Sequence, residues 1–124
     1  ILSFFPEEKH PQILLSLSNN LRGIVSQRLV ETVDKSQFAP AVEVLLNKGL
    51  IRSLIHEGKT REIREIIEKS REQGMQTFEQ SLMDLYNKNL ISEEVAVTES
   101  DNPGNMRLVM RQMQTAKKMS NLAN

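Results

Sequence analysis

The sequence has no cysteine and no tryptophan, only 4% aromatic residues, and no excess charge of either sign. The missing cysteine excludes a disulfide framework and any zinc site built on thiolates, and it suits a reducing compartment. Sixteen Lys and Arg residues balance sixteen Asp and Glu residues. A nucleic-acid binder normally carries a basic excess that displaces counterions from phosphates, so nucleic acid is not an expected partner. Scarce aromatics also leave little to stack on bases. No run approaches the roughly 20 apolar residues that span a bilayer. The opening Ile1-Leu2-Ser3-Phe4-Phe5-Pro6 has neither an initiator Met nor the basic flank of a signal peptide. It reads as a chain cut from something longer.

What is present is helical periodicity. Pro11 suits a first helical turn, and Ile13, Leu14, Leu17 and Leu21 follow at helical spacing until Gly23. The stretch 23–31 fits neither period cleanly, whereas 38–46 alternates, with Val42, Val44 and Leu46 opposite Glu43. The polar residues 32–37 between them read as a turn, so the pair is expected to form an antiparallel hairpin. Two strands alone are marginal in water, so this hairpin is expected to complete a sheet whose other strands precede Ile1.

After Asn47 every apolar pattern is helical. Leu50, Ile51, Leu54 and Ile55 predict one buried face ending at Gly58. Thr60 is an expected cap for a helix with Ile63, Ile66 and Ile67 inside, closed by Gly74. Its other face is laced by Arg61–Glu65, Arg64–Glu68 and Glu65–Lys69 spacings, the mark of a solvated surface. Thr77 and Gln80 form a capping box for a helix burying Phe78, Leu82, Leu85 and Tyr86. Ser92 starts a short helix, and Asn102-Pro103 opens a last one to about Leu122. The fold class is α+β and mostly α: a helix and hairpin from an α/β sheet, then a helical bundle.

Candidate chemistry is thin. Gly58-Lys59-Thr60 ends like a P-loop, but Ser53 stands where the first glycine belongs and a helix, not a strand, precedes it. It reads as a turn between helices. His10 and His56 lack partners at ligand spacing, so no metal is expected. Ser16, Ser18 and Ser26 lie outside any nucleophile elbow. The last helix differs: it holds four of the six Met residues, and no acid follows Asp101 to oppose Arg107, Arg111, Lys117 and Lys118. These four are the candidate partner-binding residues of a basic, Met-rich tail expected to stand apart from the core as an interaction element.

Several segments resemble one family, the hexameric twitching-motility ATPases of PilT/PilU type. Leu50-Ile51-Arg52-Ser53-Leu54-Ile55-His56-Glu57-Gly58 is similar to its AIRNLIRE segment, with Leu50 for Ala, Ser53 for Asn and His56 for Arg. Gly74-Met75-Gln76-Thr77-Phe78-Glu79-Gln80-Ser81-Leu82 resembles its GMQT signature. Ser26-Gln27-Arg28-Leu29 and Ala41-Val42-Glu43-Val44-Leu45 resemble the strands that end its RecA-like core. Lys69-Ser70-Arg71-Glu72 and Met106-Arg107-Leu108 look more like the PilU branch. Related assembly and secretion ATPases carry a cysteine-rich zinc insertion beyond QRL, and here Val30–Phe38 has no Cys.

The resemblance implies three parts: 1–47 as the end of the ATPase core, 48–102 as a C-terminal helical bundle, and 103–124 as the tail. It implies that the whole protein is an ATPase using ATP and Mg²⁺, assembled as a homo-hexamer at the cytoplasmic face of the bacterial inner membrane. There it would drive pilus retraction by removing pilin at the pilus base, with the inner-membrane platform and a paralogous retraction ATPase as partners. The Walker segments and catalytic carboxylate would precede Ile1, so this stretch alone is expected to be inactive, with no catalytic or cofactor-binding residue. Arg52, His56 and Glu57 would be the family residues for force transmission or partner contact. The alternative is a free-standing helical adaptor without ATPase activity.

Overall fold

The computed structural model describes residues 1–122. Helix α1 (His10–Asn20) is followed by strands β1 (Gly23–Glu31) and β2 (Phe38–Leu46). Five helices complete the chain: α2 (Leu50–Glu57), α3 (Thr60–Glu68), α4 (Phe78–Asn87), α5 (Glu93–Glu99) and α6 (Pro103–Leu122). The expected hairpin forms, antiparallel and two-stranded among the described residues. Thr32 N–H donates to Gln37 O at its turn, where Asp34 Oδ1 accepts from Thr32 Oγ1 at 2.7 Å and from Ser36 N–H at 3.0 Å. Such Asx geometry lets Lys35 take its positive φ of 57°.

The chain divides into two units, one of Ile1–Gln27 with Val42–Thr77, the other of Arg28–Ala41 with Phe78 onward. Each strand contributes residues to both.

In the first unit, Ile51, Leu54, Ile55, Ile63, Ile67 and Met75 form the core, with Leu17, Leu21, Leu45, Leu46 and Ile66 packed against it. Gly58 caps α2 in the left-handed region (φ 68°), which only glycine adopts without strain. Leu50, expected on the buried face, is 62% exposed. Helical side chains lean toward the N-terminus, so a first-turn residue leans off the end of the packed face. Thr60 is not a cap either: the capping position falls on Lys59, whose side chain makes no capping bond, and Thr60 is already helical. Gly74 does not close α3, which stops at Glu68. Ser70 ends it by donating its hydroxyl to Ile66 O at 2.6 Å, and Gly74 (φ 88°) closes the 3-10 turn Arg71–Gln73 instead. Asn47 ties the end of β2 to the end of α1: its Nδ2 donates to Ser18 O at 3.0 Å and Leu21 O at 2.7 Å. Gln76 closes the unit as a single antiparallel bridge to Val44, its Nε2 donating to Val42 O at 2.7 Å.

The second unit is built on Val30, Ala39, Ala41, Phe78, Leu82, Met83, Ile91, Ala96, Val97, Met106 and Met110. Leu85 and Tyr86 pack against it as expected. Ser92 Oγ caps α5 by accepting from Val95 N–H, and Asn102 Oδ1 caps α6 by accepting from Asn105 N–H, both at 3.1 Å. The tail does not stand apart from the core. Met106 and Met110 are fully buried, because α6 continues straight from its cap onto the apolar surface of α4 and α5.

Arg28 holds the start of α6 in place. Its guanidinium donates to Glu99 O at 2.9 Å and Asp101 Oδ1 at 2.8 Å, and lies 4.2 Å over the Phe78 ring. The pair is more than a third exposed, so solvent screens it. Arg28→Ala should cost about 1–2 kcal/mol by urea titration, and Arg28→Lys should recover only part, since an ammonium cannot make both bonds and stack.

Candidate partner-contact site

Helix α2 runs for eight residues between two glycines of positive φ, Gly49 (φ 52°) and the left-handed Gly58. Burial of Ile51, Leu54 and Ile55 turns Arg52, Ser53, His56 and Glu57 to solvent. The three expected residues thus share an exposed surface. Arg52 and His56 are one turn apart, and Glu57 is next to the cap. Arg52 Nη2 donates to Asn19 Oδ1 at 2.8 Å, which steers the guanidinium without burying it. Glu57 pairs with Lys59 at 2.6 Å. That hydrogen bond, reinforced by the charge of Glu57, raises the Lys59 ammonium above its ordinary pKa. The surface is a small, exposed polar patch of both signs.

The Gly58-Lys59-Thr60 turn has its backbone donors engaged. Gly58 N–H bonds Ile55 O at 3.1 Å, Lys59 N–H bonds Leu54 O at 2.9 Å, and Thr60 N–H bonds Gly58 O at 3.0 Å. A phosphate cradle needs such donors convergent and free. His10 Nε2 lies 2.9 Å from Phe5 O. Among the described residues no three His, Cys, Asp or Glu side chains group as metal ligands.

The four tail residues lie on α6, in the other unit from α2. They do not form one stripe. Arg107, Arg111 and Lys118 share a face at spacings of 4 and 7, whereas Lys117 continues the line of Met106, Met110 and Met113 beyond the buried part. Arg28 was not among the sequence candidates. Its signal was an arginine at the strand position two before inward-facing Val30, with Asp101 available as a counter-charge.

No family model matches the chain. The type IV pilus ATPase PilU of Pseudomonas aeruginosa is 40% identical over 111 residues, covering 90% of this chain and 29% of that protein. The crystal structure of the pilus retraction motor PilT with bound ADP matches with a TM-score of 0.72 at 32% identity, over 85% of this chain and 29% of that one. The chain belongs to the PilT/PilU-type ATPase family. A twitching motility protein of Neisseria gonorrhoeae is 31% identical, over 86% of this chain and 28% of that protein. The chain spans less than a third of the length of these PilT/PilU relatives. Within the family frame, α2 is the AIRNLIRE-like segment, and the GMQT-like segment runs from the Gly74 turn through the Gln76 bridge into α4.

Proposed function

We propose that this chain is the C-terminal part of a hexameric pilus motor whose ATPase core hydrolyses ATP with Mg²⁺ and drives pilus retraction. The observation that carries this reading is the match to the PilT retraction motor in fold together with the higher identity to PilU. The identity difference favours the PilU branch. No helix among the described residues is long and apolar enough to cross a membrane. The motor would work at the cytoplasmic face of the inner membrane, docked on the pilus platform or on a paralogous motor.

The first unit carries a cavity of about 510 Å³ lined by Ile1, Leu14, Leu17, Ile24, Leu45 and Ile63, among others. In the whole motor these apolar side chains would pack against the remainder of the RecA-like core. The exposed α2 surface, Arg52, His56 and Glu57, would then pass the core's movement to the partner.

The test is Arg52→Ala with Glu57→Ala in the full-length protein. Both side chains are exposed, so the unfolding free energy should hold within the scatter of surface substitutions, about 0.5 kcal/mol. ATP hydrolysis should persist while twitching is lost. Normal twitching in the double variant would remove α2 from the contact.

A further inference from the structure

Charge is unevenly spread along the second unit. Residues 77–101 hold six acids (Glu79, Asp84, Glu93, Glu94, Glu99, Asp101) against Lys88 alone, while 102–124 hold four bases and no acid. As far as Gln114, α6 meets this acidity within its own unit: Gln114 Nε2 donates to Glu93 Oε2 at 3.1 Å, and Arg107 lines a groove with Glu93, Glu94, Val97 and Thr98. The last two turns do not. Every residue from Arg111 to Leu122 is exposed. Lys117 and Lys118 make no ion pair among the described residues. At 1.5 Å per residue they stand about 10–12 Å past Met110 along a continuous helix, which cannot turn back onto its own α5.

The groove on α5 holds about 400 Å³ and offers two carboxylates against one guanidinium, with apolar Val97 among its lining residues. Glu94 makes no ion pair among the described residues. Met119 and Leu122, 67% and 86% exposed, add uncovered apolar groups beside the two lysines. One molecule therefore displays a cationic helix end with apolar side chains, and an anionic groove that its own helix end cannot fill. We propose that Lys117–Leu122 of one copy docks in the Glu93–Glu94 groove of a second copy of this chain. The two surfaces differ, so the contact is head-to-tail and links further copies in a ring or row. It is read from this chain without nucleotide and does not depend on the motor assignment.

Sedimentation velocity of the 124-residue chain tests it. Self-association should strengthen with concentration and weaken as salt shortens the Debye length. K117E with K118E, or E93K with E94K, should each weaken it by about tenfold or more, since like charges then face each other. Mixing the two variants should restore association, because each tail then meets a groove of opposite sign. A chain that stays monomeric, variants that associate like the parent, or a mixture that fails to recover would overturn the proposal. So would K117E/K118E losing binding to anionic phosphatidylserine vesicles while self-association is unchanged, which would assign the tail to a lipid surface.

Discussion

A chain ending at Asn102 should lose the cooperative melt of its second unit, whereas a chain ending at Arg111 should keep it. Stopping at Asn102 removes Met106 and Met110, which are 2% and 0% exposed, and with them Val109. Each buried Met is worth about 2–5 kcal/mol when truncated. Two lost together approach the roughly 5–15 kcal/mol that holds a whole domain folded. The cut also uncovers Leu82, Ile91 and Ala96 to water. Stopping at Arg111 keeps both methionines and removes, among the described residues, only exposed ones. Thermal circular dichroism of the two truncations, with hydrogen exchange at Phe78–Asn87, separates the outcomes. Protection that survives in the shorter chain would show that α6 adds nothing to this core.

Ile51→Ala should destabilise the first unit by about 2–5 kcal/mol, while Leu50→Ala should change stability by no more than about 0.5 kcal/mol. The neighbours carry nearly the same hydrocarbon, so their composition cannot tell them apart. Burial can: Ile51 is 1% exposed at the centre of the Leu54, Ile55, Ile63, Ile67 and Met75 cluster, and Leu50 is 62% exposed. Urea midpoints of the two variants give the comparison directly. Equal losses would mean that Leu50 is packed and that the exposed start of α2 is wrong.

Leu50 also shows where sequence reasoning stops. Periodicity located the helices from Leu50 onward and the strand at 38–46, because each buries one stripe of a regular repeat; residues 23–31 fit neither period cleanly and read as a strand only through the turn that joins them to 38–46. It could not say where along that stripe the neighbouring elements end, so Leu50 was placed inside. Helix ends were legible where a side chain caps, as at Ser92 and Asn102. They were not where a hydroxyl acts from within the chain, as Ser70 does on Ile66. The tail misled for a related reason. Its four cations drew attention to the polar surface, while Met106 and Met110 carried no sign of which methionines would be covered.

The α2 surface was legible because three apolar positions fix the helix's rotation and leave Arg52, His56 and Glu57 outside. The Arg28 clamp was not, since its partners Asp101 and Phe78 lie 73 and 50 positions away and no local pattern joins them.

Asn47 makes the joint between α1 and β2 depend on one side-chain amide. Its amide nitrogen serves two carbonyl oxygens, Ser18 O and Leu21 O, and its Oδ1 is buried without a donor among the described residues. Spontaneous hydrolysis of that amide would put a carboxylate in its place, a change of a single heavy atom that most exposed asparagines absorb without effect. Here it would remove both donors and set a negative oxygen against two carbonyl dipoles. A chain carrying that carboxylate would be weakest at the joint between α1 and β2.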